Sequence, residues 1–193
     1  MGAMKQVLVF FLALLTWCGC KEESTTTPPV PLPSGTATVT DTVVWPIGGG
    51  NVGFDCDLGK TISGTDTSNW HAVDIVPSLT WIGGRNRAEP YLYRPGDSLI
   101  AGGFRLISKA GSYQDAFAQF QALTVAPDTG YQIVADSVQA NQVWAFQTVG
   151  GKSAKLLLRE VHLRYGATIS DTFATAVTFD WVFQPNGSRQ LVP

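Results

Sequence analysis

The chain has 193 residues, 13 basic against 15 acidic side chains, and three cysteines. That length accommodates a leader and one domain of ordinary size, and a slightly acidic chain with no basic cluster argues against a nucleic-acid partner. Few charges, an aromatic content of 11% and 20 scattered glycines suit a single strand-and-turn domain more than a helical one.

Lys5 precedes Val7–Trp17, a run that is apolar apart from Thr16, and Cys18-Gly19-Cys20 follows. The run is too short to span a bilayer but has the length of a signal-peptide core. Gly19 fits the small position before a lipoprotein cleavage site, so residues 1–19 are expected to be removed and Cys20 lipidated, anchoring the domain to a membrane. Loss of Lys5 leaves 12 basic against 15 acidic side chains. Lys21-Glu22-Glu23 resembles the tag of lysine and acidic residues that sends some Gram-negative lipoproteins to the outer face of the outer membrane. Thr25–Gly35 holds four prolines and three threonines, an extended tether rising about 3 Å per residue. Residues 20–35 are therefore read as anchor and tether, and 36–193 as the domain.

Within the domain, Thr36–Trp45 is a threonine- and valine-rich first strand, broken by Pro46 and Gly48–Gly50. Val52–Asp57 is a second, turned at Asp57–Gly59. Cys56 is the one cysteine left besides the anchor region of the mature chain, so no internal disulfide is available. Ala72–Ile82 and Tyr91–Tyr93 read as strands, and Ser98–Ser108 as another with a bulge at Gly102-Gly103. Ser112 with Asp115 three residues on opens one short helix, about Ser112–Leu123, with Tyr113, Ala116, Phe117 and Phe120 on its apolar stripe. Tyr131–Ala135, Gln142–Val149 and Ala154–Tyr165 continue as strands. Val177, Phe179, Trp181 and Phe183 alternate with polar or smaller residues, the signature of a half-buried strand, and Asn186-Gly187 predicts a type I′ hairpin returning Ser188–Val192. The expected fold is all-β, an antiparallel sandwich-like domain with that one helix.

Gly151-Lys152-Ser153-Ala154-Lys155-Leu156, then a strand, then the Val177–Phe183 strand ending in Gln184-Pro185-Asn186-Gly187-Ser188, resembles the C-terminal signature of the HmuY family of bacterial haem-binding lipoproteins. Phe54-Asp55…Leu58-Gly59-Lys60 and Trp70…Asp74-Ile75 resemble two further segments, so the likeness spans roughly Val52–Gln184. It implies a surface lipoprotein of the outer membrane that binds haem between two axial side chains and passes it to an outer-membrane haem receptor for iron acquisition. The mature chain keeps no methionine, and its only histidines are His71 and His162. The segment matching the family's ligand loops, about 110–145, offers Tyr113 and Tyr131, and tyrosine can ligate ferric haem. Arg85, Arg87 and Arg105 could meet propionates.

His162 is read as sharing a strand face with Leu156, Leu158, Glu160 and Arg164. Gly151-Lys152-Ser153 ends like a phosphate loop, but the required first glycine would fall at Phe146 and no helix follows. No Gly-x-Ser-x-Gly elbow or calcium-loop spacing occurs. The chain therefore reads as a non-enzyme. It binds haem or a related ligand, or else uses the same scaffold as a surface module that contacts protein or glycan without haem.

Overall fold

The computed structural model describes residues 31–44, 48–66, 68–69, 72–81, 88–95, 102–148, 150–164 and 173–192, all within one compact unit, Pro31–Pro193. Among the described residues two antiparallel sheets and one helix build it. The large sheet takes β1 (Ser34–Val44), β2 (Gly48–Asp55), β3 (Lys60–Ser63), β6 (Gly103–Lys109), β8 (Gln142–Gln147), β9 (Ser153–Arg164) and β10 (Phe173–Gln184) in the order β3-β2-β1-β10-β9-β8-β6. The small sheet orders β4 (Val76–Trp81), β5 (Ala88–Tyr93) and β7 (Val134–Ala135) as β4-β5-β7. The helix α1 is Tyr113–Ala122. The expected all-β, sandwich-like class with one helix is what the chain adopts. No described helix is long and apolar enough to cross a membrane.

β10 organises the large sheet because its alternation is strict. Val177, Phe179, Trp181 and Phe183 are all buried in the core between the sheets, with Val39, Phe54, Ile75, Leu92, Phe146 and Leu156. Phe54 meets Phe179 edge-on at 5.5 Å and lies 5.2 Å from Trp181, contacts that fix ring geometry beyond simple burial. The opposite face carries a second core under α1, built from Ala116, Phe120, Val143 and Leu157 with Tyr113 and Val182 at its rim. β8 lies between these two cores, which is why its residues Gln142–Phe146 are buried on both faces.

The helix starts where expected. Ser112 is the N-cap and its hydroxyl accepts from Asp115 N at 3.2 Å. Its stripe is narrower than predicted: Ala116 and Phe120 are buried, whereas Phe117 is 40% exposed. Phe117 stacks along the flank, on Tyr113 at 5.9 Å and Phe120 at 6.5 Å.

Three local expectations are corrected. Asn186-Gly187 makes no type I′ hairpin: Gly187 alone has positive φ, and Ser188–Val192 is not a strand of the sheet. β10 already has β1 on one edge and β9 on the other, so no edge is left for a returning strand. The tail instead crosses to the segment after the helix, with Ala126 N donating to Arg189 O at 2.8 Å and Leu191 N to Thr124 O at 2.7 Å. The bulge of β6 is also elsewhere. Leu106 pairs with Trp144 and Ser108 with Val143, so the extra residue is Ile107, while Gly102 and Gly103 precede it at φ 129° and 119°. The predicted strand over Tyr131–Ala135 shrinks to Val134–Ala135, with Gln132 bridging Phe104.

Candidate functional site

The face of the large sheet that carries α1 is covered by the helix around Leu157 and Val182. Farther along, no described element packs on it. Thr36, Thr38, Thr40 and Thr42 stand there, alternating with buried Ala37, Val39 and Asp41. Register places Thr36 beside Asp180, Thr38 beside Thr178, Thr40 beside Ala176 and Thr42 beside Ala174. On the other flank of β10, Glu160 lies beside Thr178, His162 beside Ala176 and Arg164 beside Ala174. Small alanines between longer neighbours leave a trough of about 360 Å³ lined by Thr40, Thr42, His162, Arg164, Ala174 and Ala176.

A bulge sets which β9 side chains reach this face. Thr178 pairs with Glu160 but Phe179 pairs with Leu158, so Arg159 is the extra residue. Such an insertion bends a strand and re-aims its side chains. Leu156 and Leu158 point into the core, and beyond the bulge Val161 takes over that face. The expectation that His162 shares a face with Leu156 and Leu158 is therefore wrong by one residue of register: His162, Glu160 and Arg164 point outward. Arg159 Nη1 lies 3.3 Å from Asp180 Oδ1, and its guanidinium sits 5.3 Å from the centre of the Tyr113 ring. Asp180 also accepts from Tyr113 Oη at 3.2 Å and Thr36 Oγ1 at 2.6 Å.

The candidate haem ligands are not gathered at one point. His162 is exposed, with Nε2 3.1 Å from Glu160 Oε2. Tyr113 is bound to Asp180, four residues along β10 from the partner of His162, a separation of roughly 13 Å at 3.3 Å per residue. Tyr131 lies beyond β6, its hydroxyl donating to Pro127 O at 2.9 Å. Burial and the Asp180 charge raise the Tyr113 phenol above its usual range, and burial raises that of Tyr131 against the pull of Arg105 and Arg189. Both shifts oppose the phenolate that would bind ferric iron. Arg105 donates to Thr129 O. His71, Cys20, Arg85 and Arg87 lie outside the described residues, as does Trp70. Among the described candidates, His162, Tyr113 and Tyr131 do not face a common apolar slot. Nor do the described residues include three or more His, Cys, Asp or Glu side chains grouped to hold a metal ion.

The two lysines of the Gly-Lys-Ser-Ala-Lys-Leu segment have structural partners. Lys152, in the β8–β9 turn, pairs with Asp57 of the β2–β3 turn and sits 5.8 Å from the Phe183 ring centre. Lys155 is buried beneath α1, donating to Phe120 O at 2.9 Å and Leu123 O at 3.0 Å. The phosphate-loop likeness of Gly151-Lys152-Ser153 thus resolves into a hairpin turn between two strands.

A buried carboxylate adjoins the Cys56 turn. Asp74 accepts from Cys56 N at 2.9 Å. Burial, reinforced by Asp55 and Asp57, pushes its carboxyl up from 3.8 to about 6, against the pull of the Cys56 N–H. The folded chain therefore holds this proton to higher pH than the unfolded chain does. Stability supplied by Asp74 below pH 3.8 is lost as pH rises through about 6, by roughly 2 kcal/mol once partial solvent screening is allowed for. Asp74→Asn keeps an oxygen for Cys56 N and should remove that loss. Urea midpoints of the two proteins should coincide near pH 4 and separate near pH 7, with the variant more stable; parallel pH profiles would contradict this origin. Asp41, also raised by burial, is common to both proteins and cancels.

The open face was only half visible in the sequence. The Thr36-x-Thr38-x-Thr40-x-Thr42 alternation is there to be read, whereas Ala174, Ala176, Asp180, Arg159 and Arg164 join it only through register across three strands. No protein-family model matches the chain, and no curated protein matches it.

Proposed function

We propose that the chain is a lipid-anchored binding domain displayed on the outer membrane, related in design to the HmuY lipoproteins, which holds an extracellular ligand without catalysing its conversion. The observation that carries this reading is the trough around Ala174 and Ala176, an open, polar-walled concavity on a sheet face that no described element covers. Of the two ligand classes expected, the haem-free module is better supported: His162 stands on a hydrophilic face beside Glu160, and both candidate tyrosine hydroxyls are already hydrogen-bonded. The haem reading keeps one observation in its favour, the exposed imidazole of His162 at the trough wall.

Display and anchoring are tested together. Cys20→Ser should abolish metabolic labelling by palmitate, and protease added to intact cells should remove the wild-type domain. A domain that survives such treatment while a known surface protein is lost would refute display.

A further inference from the structure

We propose that the trough is a glycan-binding site, its ligand an extended polyhydroxylated sugar chain lying along β10 between the threonines of β1 and the charged side chains of β9. This rests on reading the open face as the binding surface. The floor is two alanine methyls wide, enough for the C–H face of a sugar ring and too little for a protein hot spot, which needs a contiguous apolar or aromatic anchor. The walls add polar groups to that apolar floor. Thr40 and Thr42 present hydroxyls that donate and accept, Glu160 accepts, and Arg164 donates through a planar fork. Thr38 and Thr178, hydroxyls 2.9 Å apart, continue the hydroxyl row toward Asp180.

The face beyond the trough fits the same ligand. Farther along β10, past Thr178, the Tyr113 ring, held by Asp180 and overlain by Arg159, adds an aromatic group to the same face. The trough is shallow and runs along strands, so it suits a chain passing through more than an enclosed small molecule. Arg159 and Arg164 balance Asp180 and Glu160 in charge along this face, which disfavours a polyanionic nucleic acid.

The test uses residues 21–193, which contain the compact unit whole, in native gels cast with dextran, mannan, xylan or polygalacturonate. At least one of these should retard the protein. Arg164→Ala and Thr42→Val should each weaken retardation about tenfold, the effect of losing one good polar contact, and the floor-filling Ala176→Leu should weaken it by occluding the trough, all three melting as the wild type does. Lys109→Ala on edge strand β6 should change nothing. Retardation unaffected by all three trough variants overturns the proposal, as does no retardation by any polysaccharide. Ferric haem added in parallel separates the failures: an axially ligated haem spectrum without retardation overturns the haem-free reading as well, and neither signal overturns the glycan assignment alone.

Discussion

Gly103→Ala should be strongly destabilising, with an expected loss of about 4 to 5 kcal/mol out of a total stability of order 5–15. Gly103 has φ 119°, and a Cβ there would lie 2.2 Å from Gln132 O and 2.8 Å from Gln132 C. Those atoms are backbone and cannot rotate aside. Relief requires β6 to part from Gln132, breaking the reciprocal pair Phe104 N to Gln132 O (2.6 Å) and Gln132 N to Phe104 O (2.8 Å). Phe104, packed 4.8 Å from Phe146 and 6.4 Å from Trp144, would lose its cover. The control is Gly111→Ala, where nothing lies within 4 Å of the new Cβ. Urea denaturation should show a large drop for the first variant and a small change for the second; similar midpoints would contradict the packing described.

Lys155→Met should cost about 4 kcal/mol, because one buried ammonium serves two carbonyls and hydrogen bonds from charged donors are worth about 1.5–3 kcal/mol each. The last turn of α1 contains no basic residue, yet its carbonyls carry the partial negative charge of the helix dipole. The sheet supplies the missing cation from beneath: Lys155 is 3% exposed, reaches Phe120 O and Leu123 O, and lies 4.8 Å from the Phe120 ring centre. Burial lowers its pKa, the electrostatic cost that these bonds offset. Methionine fills the same space but leaves both carbonyls without that donor. Hydrogen exchange should find the amides of Tyr113–Ala122 losing protection before those of β9 and β10. A variant as stable as the wild type would contradict the capping role.

What could be read from sequence was local. The alternation of β10 and the Ser112 to Asp115 start of the helix each depend on neighbours within one element, and both appear as expected. The Asn186-Gly187 hairpin failed because its partner edge was already occupied by β1, some 140 residues distant by register (Thr38 to Thr178). The face of His162 was misassigned because one inserted residue, Arg159, inverts the alternation, and nothing in Leu158-Arg159-Glu160 distinguishes a bulge from a continuing strand. The trough suffers from both effects at once. Its threonine wall is a local pattern, but its alanine floor and its charged wall meet that pattern only after long-range pairing.

The most direct test of the haem-free assignment is a titration of residues 21–193 with ferric haem followed by absorbance, beside His162→Ala, His71→Ala and the double variant. The expected result is the broad spectrum of unligated haem in all four proteins. A saturable, sharp and shifted Soret band that disappears in His162→Ala would contradict it, and would make the wall of the trough an axial-ligand site.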